Sequence, residues 1–479
     1  MRKPAFVLVP AFVFLVSVCI VLSFTAGVAH AQTPHLLRSP SLSDSRIAFR
    51  YADDIWVVSR EGGVASRLTS TANFDEGPFF SPDGQTIAYS AHLGDAVDVY
   101  TIPAAGGASR RITFHPAGNY LVGWTPDGRD LLIASMQDAV RMYFQIFRVH
   151  ADGSGLPERL PLPSASDGSM SPDGTHLAYS PFLQWEADSW KRYRGGQTQP
   201  VWILDLKTLD LTKVPRENSN DTHPVWLGDA VYFLSDRNGP VTLFRYDLQT
   251  KEVKQLVENH GLDFKTLSGR GGAFVYEQFG TIHLYDISSG AEHAVNITLE
   301  GDLPALQPHI AKIGGDEIQN ASISPTGVRA VFEAHGDIFT VPAEKGDVRN
   351  LTNSSSSAER EPAWSPDGKR VAYFSDASGE YKLYLRDQDG LAAPKIIDLG
   401  PEPTYYYAPN WSPDSKRILF SDKRLNLWYV NVDGGQPVKV DTDLREGFGP
   451  TGFSASFSPD SKWILYARSL PSLENAAFL

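Results

Sequence analysis

"WSPDGKRVAYFSD", residues 364–376, returns along the chain as "FSPDGQTIAYSA" from Phe80, "WTPDGRDLLIAS" from Trp124, "WSPDSKRILFSD" from Trp411 and "FSPDSKWILYAR" from Phe457. Pro366 presets φ for the second position of a type I turn, while Ser365, Asp367 and Gly368 supply backbone hydrogen bonds and positive φ. The "KRVAYFSD" that follows alternates polar and apolar residues as one strand, "YKLYLRD" continues as the next, and "APKIIDL" completes a four-stranded unit. The phrase therefore turns the chain inside an antiparallel hairpin, and its Ser and Asp read as turn chemistry, not as nucleophile or ligand. The aromatic residue before each turn is expected to pack between neighbouring units.

Setting the copies in register places Ser41 (in the degenerate "SLSDSRIAF"), Ser81, Thr125, Ser171, Ser324, Ser365, Ser412 and Ser458 about 40 to 47 residues apart, with one long gap before Ser324. That period is the spacing of propeller blades, each a four-stranded antiparallel sheet. Two blades with degraded turns fill the gap, one anchored by "PVWLGDAVYFLSDRNG" from Pro224 and the other by "GGAFVYEQFGTIHLYD" from Gly271. The expected fold is all-β: a six-bladed β-propeller followed by a second, incomplete β-propeller. The first occupies residues 32–300, with blades near 36–70, 74–114, 119–162, 166–214, 221–257 and 262–299. Residues 301–318, rich in Pro and Gly, read as a linker. The second propeller spans 319–479 and stops after about three and a half blades, since "GFSASFSPDSKWILYARSLPSLENAAFL" from Gly452 holds two strands and the opening of a third. A half blade leaves an unpaired strand edge, so the chain reads as the front part of a longer protein. A naturally open, short propeller is the alternative.

Arg2 and Lys3 precede a long apolar run that ends in Ala29-His30-Ala31, the pattern of a secretory signal peptide cleaved after Ala31. The expected localisation is therefore periplasmic or secreted. The apolar run is longer than an ordinary signal core, which keeps an uncleaved anchor as the alternative. The single cysteine, Cys19, lies inside this segment, so the mature chain has no disulfide and no thiolate site. The formal charge of the whole chain is -13, spread along its length, which excludes non-specific nucleic-acid binding.

No G-x-S-x-G elbow, H-E-x-x-H zinc motif or P-loop occurs, and none of the 12 histidines is followed by Glu. No catalytic residue, metal site or cofactor site is expected. "RDQDG" from Arg386 and "NVDGG" from Asn431 lack the further carboxylates of a calcium loop and read as turns. His115 and His223, each followed by Pro, read as structural. One segment stands out. "DSWKRYRGG" concentrates Lys191, Arg192 and Arg194 beside Trp190 and Tyr193, in an insertion within the fourth blade. Arginine forks bind carboxylates, so these three cations are candidates for contact with a peptide C-terminus or an acidic partner. The alternative is that Trp190 and Tyr193 pack the insertion down while the cations pair with nearby Asp and Glu.

Generic "SPDG" repeats are similar to the propellers of TolB-type periplasmic proteins and of prolyl-oligopeptidase relatives. "WKRYRGG" from Trp190 and "AHGDIFTVPAEKGDVRNLT" from Ala334 resemble tricorn-type proteases, over essentially the whole mature chain. In that family a six-bladed and a seven-bladed propeller precede a helical domain, a PDZ domain and a serine-peptidase domain. The resemblance thus implies the non-catalytic front of an exported serine protease, with no catalytic residue of its own. It also implies peptide or protein substrates, peptide access to an enclosed site, and a homo-oligomer for the full-length protein. A stand-alone TolB-like periplasmic protein-binding propeller is the rival reading.

Overall fold

Each repeat builds a four-stranded antiparallel sheet because its turn is held by three local bonds. Ser365 Oγ donates to Asp367 Oδ1 (2.6 Å) and accepts the Arg370 N–H (3.0 Å), while Asp367 Oδ1 accepts the Lys369 N–H (3.1 Å). Gly368 takes φ +72, which only glycine adopts without strain. The Ser or Thr to Asp bond recurs at Ser81, Thr125, Ser171, Ser412 and Ser458.

The computed structural model describes residues 36–479 apart from 71–73, 95, 140–142, 183–190, 196–197, 301–309, 311, 355–356, 403, 445–452 and 473. The signal segment, Trp190 and most of the linker lie outside the described residues. Ten sheets follow one another along the chain, at residues 38–67, 74–111, 119–159, 167–213, 221–255, 264–294, 319–350, 359–397, 406–442 and 455–478. The last has three strands, and the described residues hold no helix beyond a 3-10 turn at Gly315–Glu317.

The first six sheets form a closed ring. Their innermost strands, Arg38–Leu42, Phe74–Phe80, Asn119–Trp124, Asp167–Met170, Asp221–Leu227 and Phe264–Arg270, pack in succession, and the last packs on the first. Alternate residues of each sheet face opposite neighbours, so apolar layers form between sheets. One such layer unites Leu42, Ile47, Phe49 and Trp56 with Val275, Ile282 and Leu284 across the closing seam. Trp124 Nε1 donates to the Phe79 carbonyl of the preceding sheet (2.9 Å), and Trp411 Nε1 to that of Ala363 (3.1 Å), so these aromatics do lie between sheets. The other four sheets form an arc in which innermost strands Gln319–Ile323, Glu359–Trp364 and Tyr406–Trp411 pack in order.

Nearly every innermost strand carries a β-bulge, visible as a register shift and a left-handed residue: Ser39, Gly77, His223, Thr266, Asn320, Glu361 and Ala408. A bulge raises local twist, which lets short inner strands converge on an axis. Most of these residues are not glycine, so the sequence carries no signal for them.

Two sequence expectations are corrected here. The first repeat aligns on Ser43, not Ser41: Ser43 Oγ bonds the Arg46 N–H and carbonyl (2.9 and 3.0 Å), while Ser41 Oγ accepts the Phe80 N–H of the next sheet (3.1 Å). Residues 297–299, read as the end of the sixth blade, belong to the first sheet. Ile297–Leu299 pairs in parallel with the outermost strand Gly63–Arg67. The ring is thus strapped shut from outside, with Gly63 N–H donating to the Asn296 carbonyl (2.8 Å), and the missing side chain of Gly62 makes this possible: any Cβ there would collide with the same carbonyl. On the inner side Leu42 N–H donates to Ser268 Oγ (3.1 Å), repeating the Ser41 bond at the opposite end of the ring sequence.

Candidate functional site

Topology places all first-to-second strand turns of a ring on one face and all second-to-third strand connections on the other. The insertion carrying Lys191, Arg192 and Arg194 connects His176–Ser180 to Trp202–Asp205, so it projects from the face opposite the SPDG turns. There it meets the corresponding face of the arc.

All three sequence-flagged cations are paired within the chain. Arg192, 2% exposed, lies 2.9 Å from Asp263, which sits between the fifth and sixth sheets. Lys191 lies 3.6 Å from the other oxygen of Asp263 and forms an ion pair with Glu380 of the arc. Arg194 donates to Asp236 Oδ2 (2.7 Å) and to the Asp236 carbonyl (3.1 Å). Asn220 Nδ2 ties the same carboxylate (3.0 Å) to the Tyr193 carbonyl (3.1 Å). Tyr193 is 1% exposed, which packs the insertion down.

The arc side of the junction is aromatic. Lys423 Nζ sits 5.2 Å from the Tyr407 ring centre and 5.6 Å from that of Tyr193, so it reaches across both bodies. Arg360 stacks 3.4 Å from Tyr405 and 4.7 Å from Tyr381, and its Nη2 donates to the Tyr406 carbonyl (2.5 Å). Thr404 Oγ1 donates to the Lys191 carbonyl (3.4 Å), and Arg424 pairs with Glu402. Cation–π contact at desolvated sites contributes up to about 2 kcal/mol, so these rings stiffen the contact.

The two carboxylates facing Lys191 titrate in opposite directions. Burial works to raise Asp263, but the Arg192 and Lys191 cations outweigh it and hold that carboxyl below its ordinary value. At Glu380 burial prevails over Lys191 and raises the carboxyl. The buried positive charges also depress Arg424, through burial first and then repulsion from Arg194 and Arg192. The arrangement is that of a mechanical coupling: each candidate cation already holds a carboxylate, and the described residues at the junction present no nucleophile with a base beside it.

Other flagged residues lie apart from the junction. His115 Nδ1 accepts the Ala117 N–H (3.2 Å) as a local turn. His223 occupies the bulge of an inner strand, where burial lowers its imidazole pKa. "RDQDG" and "NVDGG" close hairpin turns through Gly390 N–H to Asp387 (2.9 Å) and Gly434 N–H to Asn431 (3.1 Å). Among the described residues no group of three or more His, Cys, Asp or Glu could hold a metal ion.

Sequence reasoning missed Asp236, Asp263, Glu380 and Lys423, single residues in unrelated loops that only the fold assembles. It also missed a clasp with a visible signature. In "RLT" at Arg67 and "RIT" at Arg111, the Thr hydroxyl and the Arg grip an Asp at the start of the third strand: Thr69 and Arg67 hold Asp54 (3.1 and 2.5 Å), and Thr113 and Arg111 hold Asp98 (2.8 and 2.5 Å). "NLT" at Asn350 does the same to Asp337 (2.9 and 2.6 Å).

Residues 34–291, over half of the chain, match the tricorn protease N-terminal beta propeller domain. The chain belongs to the tricorn N-terminal propeller family. Residues 310–475 of this tricorn-type chain match the TolB beta propeller domain. Tricorn protease homolog 1 of Streptomyces coelicolor is 27% identical over 456 residues, covering 93% of this chain and 42% of the relative. The tricorn protease homolog of Saccharolobus solfataricus is 24% identical, covering 89% of this chain and 39% of its own length. The crystal structure of the tricorn protease superposes with a TM-score of 0.52 at 21% identity, over 91% of this chain and 42% of that one, which supports the fold. The tricorn-type chain therefore spans about two-fifths of the length of the curated relatives it matches.

Proposed function

We propose that this chain is the non-catalytic propeller region of an exported tricorn-like serine protease, serving peptide access and assembly for proteolysis. The observation that carries the reading is the junction: a closed ring and an arc, each of the kind matched in tricorn relatives, are locked on facing surfaces by buried ion pairs. A coupling of that kind holds the ring and the arc in fixed relation, which a passage for peptides needs and a lone binding module does not. Export rests on the signal segment at residues 1–31, with cleavage after Ala31. Peptide substrates rest on the relatives' being named proteases, and homo-oligomeric assembly of the full-length protein rests on the family resemblance.

The test has three parts. The purified chain is incubated with fluorogenic peptides and with a serine-hydrolase probe, and the native protein is recovered from the extracellular or periplasmic fraction for intact mass. The expected result is no hydrolysis, no labelling, and a mass that begins at Gln32 and exceeds that of this chain by further domains. Labelling of a serine in this chain that its Ala substitution abolishes would overturn the reading.

The match of residues 310–475 to the TolB propeller favours a second reading, a stand-alone protein-binding propeller. A native mass equal to residues 32–479, together with one stoichiometric protein partner, would establish it.

A further inference from the structure

In two sheets the first residue of the innermost strand stands in register with the last residue of the second strand, and that pairing satisfies a buried carboxylate. Ser235 Oγ donates to Asp221 (2.6 Å) and Ser375 Oγ to Glu359 (2.8 Å), each across its ladder. Asn119 stands opposite Ser135 in the same register, and its Nδ2 donates to Asp98 Oδ1 of the preceding sheet (3.2 Å). The second sheet departs from this pattern twice. Asp75 stands opposite Ala91, which has no hydroxyl. Across the seam, where Asn119 offers an amide to Asp98, Asp75 brings a carboxylate beside Asp53 and Asp54, its N–H donating to the Asp53 carbonyl (3.0 Å).

Asp54 accepts from Arg67 and Thr69 and keeps lone pairs for a further donor, while the Thr69 hydroxyl has a single proton to give. Asp75 is 1% exposed, and among the described residues neither of its carboxylate oxygens has a hydrogen-bond partner. Native structures leave few buried polar groups in that state. The titratable groups around it are Asp53 and Asp54 of the first sheet, and His92, Tyr89 and Tyr100 of its own. Burial raises the Asp75 carboxyl to about 6; Asp54 and Asp53 push in the same direction, and Thr69 and His92 oppose it.

We propose that Asp75 and Asp54 form an acid latch across the seam between the first and second sheets, closed when Asp75 carries a proton and loosened when it ionises. The proton on Asp75 becomes the donor that Asn119 supplies at the next seam. Ionisation leaves two buried carboxylates face to face. Because the folded state binds this proton more tightly than the unfolded chain, the latch contributes fully at acid pH, and its contribution is lost as pH rises through about 6. The rest of that seam, Phe80 N–H to Ser41 Oγ (3.1 Å) and Arg46 Nη1 to the Ala104 carbonyl (2.7 Å), does not titrate in this range.

The test is thermal unfolding of the chain at about pH 5 and about pH 7.5, for the wild type, Asp75→Asn and Ala91→Ser. Asp75→Asn places an amide where Asn119 has one, so its midpoint should exceed the wild type by roughly 5 °C at the higher pH and by clearly less at the lower. Ala91→Ser supplies the missing hydroxyl and should move the midpoint in the same direction by less. Amide exchange in Phe74–Phe80, corrected for intrinsic rates, should quicken above pH 6 in the wild type alone. A mutant-minus-wild-type difference that does not vary with pH would overturn the latch. Should Asp75→Asn fail to fold, a pH-independent effect of Ala91→Ser overturns it equally.

Discussion

Arg192 lies 2.9 Å from Asp263, with the arginine side chain 2% exposed and the carboxylate 12% exposed. Two charges so far from water cost much to bury and are held only by each other and their neighbours. Asp263→Ala would leave Arg192 buried without its anion and Lys191 with Glu380 alone. The expected loss is about 3–5 kcal/mol, read by urea unfolding. Replacing Arg192 with Met at the same time should recover part of it, since the desolvation penalty goes with the charge.

The strap that closes the ring sets a second expectation. Gly62 takes φ +88 against the Asn296 carbonyl. Gly62→Ala combines a strained left-handed alanine with that collision, and should cost about 1–3 kcal/mol. Limited proteolysis should then cut near Ile297–Leu299 faster than in the wild type, while the arc remains resistant.

The SPDG serines are tested by Ser365→Ala. It removes the donor to Asp367 and the acceptor of the Arg370 N–H, costing about 1 kcal/mol. Probe labelling should be unchanged, because the hydroxyl is committed to the turn between the Asp367 carboxylate and the Arg370 N–H.

Acid sensitivity at the low end comes from turn carboxylates. Asp173 is pulled down to about 2 by the Ser171 hydroxyl first, then by Thr175, and Asp286 likewise to about 2 by Ser288 and Ser289. A depressed pKa stabilises the fold above the ordinary carboxylate value, and that contribution is lost as pH falls toward 2. Midpoints measured between about pH 4 and about pH 2 should therefore fall, and Asp173→Asn should flatten part of the slope.

How much of this was legible in advance follows from range. The repeat phrase is local: Ser365, Pro366, Asp367 and Gly368 contact one another within a few residues, so the turn, the hairpin and the blade period could be read without a fold. The degraded first copy misled by two residues, because Ser41 and Ser43 are chemically alike and only the cross-sheet bond from Phe80 separates them. The "RLT" clasp was readable in principle, since Asp54 precedes Arg67 and Thr69 at the same interval at which Asp98 precedes Arg111 and Thr113.

The sequence by itself determined the all-β class, the period of the sheets and the concentration of cations at Lys191, Arg192 and Arg194, because each depends on neighbours in the chain. The tertiary structure decided what those cations do. Asp236, Asp263 and Glu380 lie tens to nearly two hundred residues away, and a charge is defined functionally by the partner that shares its burial. It likewise decided that residues 297–299 return to the first sheet and that Asp75 has no donor among the described residues, since strand registry and the identity of the facing residue arise only when the ring closes.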